Sequence, residues 1–261
     1  MPQRFHHSFP DFPVLQEQFL ACKIALFLDV DGTLLEIARR PDAVRVTAPL
    51  RELLEALLHV SGGAVALVSG RTLADLDQLF APLSFPAAGL HGIERRSAPG
   101  IIHRRDTSAA LGNVRVFLSE HSGSALLVED KGGAIVLHYR EHPELEPVAR
   151  SLALQAAALA GRDWVAVSGK MSFEIRVADV GKHHALEEFM QEAPFAGRVP
   201  AFLGDDLTDE DGFEYVNSNN GWSVHIGNGP TCASRHLPDP FAVWRLLRAL
   251  LARHEGEHLR A

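Results

Sequence analysis

The 261-residue sequence has only two cysteines, no long apolar run and no surplus of positive charge. Cys22 and Cys232 cannot build a framework of bridges, which excludes the small disulfide-stapled scaffolds. The longest uncharged apolar stretches, 62–70 and 151–161, fall well short of the roughly 20 residues that span a bilayer, so no membrane span is expected. Lys and Arg number 25 against 33 Asp and Glu, a formal net charge of −8. That balance argues against a nucleic-acid backbone or an anionic membrane as principal partner. It leaves room for a small anionic substrate, which needs only a local cluster of positive charge. No internal repeat of 20–50 residues is visible. No G-x-G-x-x-G follows a strand, and Gly169-Lys170 lacks the upstream glycine of a phosphate loop, because position 164 is Trp164. The histidines show no metal-ligand spacing. The first 13 residues carry no apolar run before a small-residue cleavage site. With so few cysteines, a cytoplasmic setting is expected.

What is present suits a folded enzyme. Hydrophobic residues make up 46% and charged residues 22%, enough to build a core in one or two domains. The pattern alternates strand and helix, which predicts an α/β architecture. Residues 24–28 form a short apolar run typical of a strand buried on both faces. Thr47 and Pro49 open a helix with a leucine stripe through 50–58, closed by Gly62-Gly63. A strand is predicted at 64–68, and Thr72 caps the next helix. From about 106 to 178 the texture changes. A helix near 111–118, strands at 125–128 and 134–139 joined at Lys131-Gly132-Gly133, a helix near 144–159, and strands at 164–167 and 173–177 form an α+β grouping with its own core. Residues 106–178 are therefore expected to be a domain inserted into a core made of 1–105 and 179–261. Alternation resumes with a helix at 182–191, a strand at 199–203, a helix near 209–216, a strand at 223–226 and a C-terminal helix at 241–253.

Three apolar strands end in polar tips: Asp29-Val30-Asp31-Gly32-Thr33, Ser69-Gly70-Arg71, and Gly204-Asp205-Asp206. Ligands of open α/β sheets bind beyond the carboxyl ends of the strands. Asp29 and Asp31, two apart, project to one side of an extended chain, and such close carboxylates tolerate each other when a cation sits between them or one is protonated. Asp205 and Asp206 add acidic oxygen. Oxygen donors without clustered His or Cys suit Mg²⁺, which pairs naturally with a phosphoryl group. Ser69 can donate to phosphate oxygens and Lys182 can neutralise them. This set predicts a carboxylate nucleophile, Asp29, with Asp31 as acid and then base. Asp209, Glu210 and Asp211 read equally well as acids that favour a helix N-terminus.

These four motifs, in this order, resemble those of the haloacid dehalogenase-like superfamily. Gly89-Leu90-His91-Gly92-Ile93-Glu94, Glu129-Asp130-Lys131, His138-Tyr139-Arg140, Ser168-Gly169-Lys170, Glu174-Ile175-Arg176 and the 204–211 segment narrow the resemblance to the trehalose-6-phosphate phosphatase family. The resemblance covers about 24–211. It implies a Rossmann-like core with an inserted α/β cap, Mg²⁺ as cofactor, and hydrolysis of trehalose 6-phosphate to trehalose and phosphate. By motif it implies Asp29 as nucleophile and metal ligand, Asp31 as acid/base lending its carbonyl to the metal, and Asp205 as a third metal ligand. Thr33, Ser69 and Lys182 would hold the phosphate. Glu129, Lys131 and Glu174 would bond sugar hydroxyls, and Arg71, His91, Lys170 and Arg140 are further substrate-cleft candidates.

Two other readings stay open on the sequence. One is a phosphatase for a different sugar phosphate, with the same core and another cap specificity. The other is a non-catalytic sugar-phosphate-binding module. No nucleic-acid, membrane or obligatory protein partner is expected.

Overall fold

A computed structural model describes residues 12–37, 45–169 and 171–252. The chain divides into two compact units, Met1–Ile102 with Lys182–Ala261, and His103–Gly181. The second unit reaches three residues further at each end than the segment 106–178.

The first unit opens with helix α1 (Phe12–Leu20), which has no counterpart among the expected elements. Its buried face is Phe12, Leu15, Gln16 and Phe19, and the Gln16 amide donates to the carbonyls of Ala249 and Ala252 at 2.5 and 2.7 Å. A polar residue inside the apolar stripe obscures the helical period. Strand β1 (Ile24–Leu28) is buried throughout. Ile24, Leu26 and Leu28 enter one apolar layer and Ala25 and Phe27 the other, so the strand is covered on both faces. Helix α2 (Ala48–Val60) has proline in its first turn and buries Leu50, Leu53, Leu54 and Leu57. After β2 (Val65–Val68) comes α3 (Leu73–Phe80), capped by Thr72, whose hydroxyl accepts from the Asp75 amide in a reciprocal capping box. Short strands β3 (Ala87–Gly89), β4 (Glu94–Arg96) and β5 (Ile102–Arg104) follow. Three residues each, they are too short to show a period of two.

The second unit holds α4 (Ser108–His121), β6 (Leu127–Asp130), β7 (Ile135–His138), α5 (Glu146–Ala160), β8 (Trp164–Gly169) and β9 (Ser172–Val177). Its sheet runs β6-β7-β9-β8, antiparallel throughout. One face, with Ile135, Leu137, Phe173 and Ile175, packs against Leu111, Val114 and Leu118 of α4 and Ala149, Leu152, Ala153 and Ala156 of α5. Strand β6 lies two residues later than its apolar run 125–128 predicts. The turn sets the register: the Lys131 amide donates to the Ala134 carbonyl at 3.0 Å, and Asp130 then pairs with Ile135.

The chain then re-enters the first unit through α6 (Lys182–Met190), β10 (Val199–Gly204), α7 (Glu210–Ser218), β11 (Trp222–Ile226), β12 (Arg235–Leu237) and α8 (Pro240–Leu251). The sheet order is β12-β11-β10-β1-β2-β3-β4-β5. Strands β12 to β3 are parallel neighbours, whereas β4 runs antiparallel to β3. Helices α1, α2, α3 and α8 feed one apolar layer, and α6 and α7 the other. Leu28 is in register with both Leu203 and Leu67. The carboxyl ends of β1, β2 and β10 therefore stop side by side. Among the described residues no helix is long and apolar enough to cross a membrane.

Candidate active site

The aligned ends of β1, β2 and β10 place three chemically distinct loops together. Asp29 follows β1 directly, donating its amide to the Leu203 carbonyl at 3.0 Å, and is only 5% exposed. The chain then folds back: the Leu34 and Leu35 amides bond the Val30 carbonyl, and the Gly32 amide bonds the Leu35 carbonyl. Gly32 has φ +89, and a Cβ there would overlap the Asp205 carboxylate. Only glycine permits both that dihedral and that approach. A Cβ on Gly204 would likewise overlap the Asp209 carboxylate. Two glycines thus make room for two acids.

The central charge is the ammonium of Lys182, 2.6 Å from Asp29 Oδ1 and 2.5 Å from Asp209 Oδ1. All three side chains are at least nine-tenths buried. The second oxygen of Asp209 accepts the amides of Asp205 and Asp206, both at 3.0 Å. Carboxylate oxygens of Asp29, Asp205 and Asp209 lie within 4.8 Å of one another. Three acids gather here around one ammonium, so acidic groups outnumber basic ones in the cluster. Burial pushes the Asp29 carboxyl well above the usual range, and Asp209 and Asp205 add to this while Lys182 opposes it. For Lys182, burial favours the neutral amine, but Asp209 and Asp29 outweigh it and hold the ammonium charged. An all-oxygen set with acids in surplus fits a hard divalent cation such as Mg²⁺.

Asp31 points elsewhere. Arg71 grips its carboxylate with Nε at 2.6 Å and Nη2 at 2.7 Å, and Asp31 stays 37% exposed. Arg71 therefore holds an acidic side chain, a role not anticipated for a substrate-cleft residue. Ser69 is 1% exposed and its hydroxyl accepts from the Arg71 amide at 3.2 Å. Thr33 is fully buried, and its Oγ1 has no hydrogen-bond partner among the described residues. His91 lies beside Ser69, donating its amide to the Ser69 carbonyl at 3.0 Å.

In the second unit Glu129 and Glu174 are both in register with Val136, so all three project from one face of the sheet. That face is opposite the one covered by α4 and α5. Lys131 Nζ lies 3.9 Å from Glu174 Oε1. His138 Nε2 lies 2.8 Å from Glu129 Oε2, and this bond holds the Glu129 carboxyl below the usual range against the opposing effect of burial. Arg176 follows on the same face, with Nε 4.0 Å from Glu174 Oε2, and donates to the Val180 carbonyl. Arg140 is exposed just beyond β7. Lys170 lies outside the described residues.

Two residues escaped sequence reasoning. Asp209 reads as an ordinary helix-start acid, yet it is 1% exposed and shares Lys182 with Asp29; its spacing of four from Asp205 is the available signal. His138 is diagonal to Glu129 across the β6–β7 pair, and that becomes visible only once the hairpin register is known.

A largely parallel sheet with a buried aspartate and further acids at adjoining strand tips, and a buried lysine at the start of a helix beside them, defines a phosphatase of the haloacid dehalogenase type. One solved structure of that superfamily, from Bacteroides thetaiotaomicron, matches with a TM-score of 0.59 at 17% identity over 87% of this chain and 94% of that one. The chain belongs to the trehalose-phosphatase family, whose model matches residues 27–241. It is 45% identical over 231 residues to a probable trehalose-phosphate phosphatase of Sinorhizobium fredii, covering 87% of each chain. It is 42% identical over 249 residues to the trehalose-6-phosphate phosphatase of Escherichia coli, covering 91% of this chain and 90% of that one. The C-terminal domain of the Candida albicans trehalose-6-phosphate phosphatase shares the fold, with a TM-score of 0.79 at 22% identity over 92% of this chain and 97% of that one.

Proposed function

We propose that the protein hydrolyses trehalose 6-phosphate to trehalose and inorganic phosphate through an aspartyl-phosphate on Asp29. The observation that carries this reading is the buried Asp29–Lys182–Asp209 contact beside the Arg71-held Asp31. It separates one carboxylate for attack from another for proton transfer.

In the first step an Asp29 oxygen attacks phosphorus. The bond from phosphorus to the sugar oxygen breaks, and protonated Asp31 gives that oxygen its proton. Trehalose leaves. In the second step Asp31, now a carboxylate, takes a proton from water as the water oxygen attacks phosphorus. The acyl-phosphate bond breaks, releasing phosphate and restoring Asp29. Lys182 balances the charge gathering on the phosphoryl oxygens, and Ser69 and Thr33 donate hydroxyls to them. Mg²⁺, held by Asp29, Asp205 and the Asp31 carbonyl with Asp209 beside them, would supply further charge neutralisation.

The second unit acts as the specificity cap in this reading. Carboxylates accept from sugar hydroxyls and ammonium groups donate to them, so Glu129, Lys131 and Glu174 form a recognition row. Arg140, Lys170 and His91 are further substrate contacts. The deciding assay measures phosphate release from trehalose 6-phosphate, with Mg²⁺ or with EDTA, beside glucose 6-phosphate and sucrose 6-phosphate. Metal-dependent turnover that strongly favours trehalose 6-phosphate is expected. Equal turnover of all three would demote the protein to a general sugar phosphatase, and no turnover would favour a binding module.

A further inference from the structure

The segment 89–94 does more than present His91. Leu90, His91 and Gly92 take φ of 51°, 57° and 110° in succession, a run that side-chain-bearing residues keep only where their surroundings hold them. The surroundings are the loop between β2 and α3. The Leu90 amide donates to the Arg71 carbonyl at 2.9 Å and the His91 amide to the Ser69 carbonyl at 3.0 Å. Glu94, 6% exposed, accepts the Leu73 amide at 2.6 Å. The loop is therefore pinned at three alternate residues, 69, 71 and 73, of which two carry site side chains.

The fit is close as well as bonded. A Cβ on Gly89 would fall 2.8 Å from the Arg71 carbonyl oxygen, 2.9 Å from Glu94 Oε1 and 3.0 Å from the Leu73 nitrogen. Gly89 has an ordinary φ of −102°, so close approach, not backbone conformation, is what calls for glycine there. A Cβ on Gly70 would fall 2.8 Å from His91 Nε2. Thr72 and Asp75 already cap helix α3, so Glu94 is not needed merely to start it. A buried carboxylate is costly unless its bonds matter to the fold or the site.

We propose that Glu94 is a positioning residue for proton transfer: by fixing Leu73 it sets the 69–73 loop so that Arg71 holds Asp31 in reach of the leaving oxygen. This rests on the phosphatase reading above. The Glu94 bond bears on Leu73, at the Arg71 end of the loop, whereas Ser69 at the other end is anchored separately by backbone bonds to Ala88 and His91, so the deficit falls on protonation of the leaving group. A sugar alkoxide needs that proton. p-Nitrophenolate does not.

The test compares kcat/KM for trehalose 6-phosphate and p-nitrophenyl phosphate, because that constant covers events only up to leaving-group departure. Positioned general acids contribute about 10²–10⁴-fold, so Glu94→Ala should lower the sugar phosphate value by about tenfold to a hundredfold and leave the aryl phosphate nearly unchanged. Glu94→Gln, which keeps an oxygen acceptor for the Leu73 amide, should recover most of the loss. Gly89→Ala wedges the same interlock from the other side and should reproduce the Glu94→Ala pattern, including where Glu94→Ala itself does not fold. Equal losses on both substrates, or no loss on either in folded variants, overturn the proposal. Wild-type protein that turns over neither ester would instead refute the phosphatase reading.

Discussion

Arg71 meets Asp31 in a two-point grip, Nε and Nη2 each bonded to one carboxylate oxygen at 2.6 and 2.7 Å. The pair joins two loops 40 residues apart in sequence. It holds the Asp31 carboxylate to Arg71 while Lys182 occupies Asp29. Lysine has no planar fork to match a carboxylate. Arg71→Lys is expected to lower kcat/KM for trehalose 6-phosphate by about tenfold or more, and wild-type rates would show the grip to be idle.

Asp29→Asn keeps the shape of the side chain and an oxygen acceptor for Lys182 but removes the nucleophilic charge. Loss of a covalent nucleophile costs more than about a thousandfold in turnover. Circular dichroism should remain that of the parent. Substantial phosphate release by this variant would rule out the aspartyl-phosphate.

Asp29 titrates above its ordinary value of 3.8, so the folded state binds that proton more tightly than the unfolded chain does. Stability of the metal-free protein should then decline as pH rises from about 4 towards the raised value. A cation among Asp29, Asp205 and Asp209 relieves this repulsion. Mg²⁺ at a hundredfold excess over its Kd adds about 2.7 kcal/mol, and each kcal/mol moves Tm by roughly 2–4 °C for a chain this long. Differential scanning fluorimetry at pH 7.5 should show a rise of several degrees in wild type and none in Asp205→Ala. A rise of equal size in Asp205→Ala would place the ion elsewhere.

Glu129→Ala and Glu174→Ala should each raise KM for trehalose 6-phosphate by about tenfold to a hundredfold, as expected for one charged hydrogen bond worth roughly 1.5–3 kcal/mol. Turnover of p-nitrophenyl phosphate should persist. Unchanged selectivity in both variants would remove the second unit from sugar recognition.

The Glu129–His138 bond lowers the Glu129 pKa below its ordinary value of 4.5. Its contribution to stability is present above that value and is lost as pH falls through the lowered one. The urea midpoint of wild type should exceed that of Glu129→Gln near pH 6, and the gap should close towards pH 3. A gap independent of pH would mean that Glu129 contributes by packing alone.

Much of this could be read from local pattern. The apolar runs at 24–28, 64–68 and 199–203 mark strands because continuous burial demands continuous apolarity, and their polar tips mark the candidate site because parallel strands end together. Helix α1 was not legible, since Gln16 interrupts its apolar stripe to bond the end of α8. Nor were β3, β4 and β5, whose three residues each carry no usable period.

By itself the sequence determined the alternating α/β order, the presence of an inserted α+β segment, and which residue types stand at the strand ends. Those are consequences of side-chain pattern over a few turns of chain. Tertiary structure alone decided which partner each acid meets. Lys182 lies 153 residues from Asp29 and 27 from Asp209, and Arg71 takes the Asp31 carboxylate from 40 residues away. Charge pairing and burial depend on distances across the fold, and two aspartates that stand two residues apart in sequence come to differ in burial and in partner only when packing gives them different neighbours.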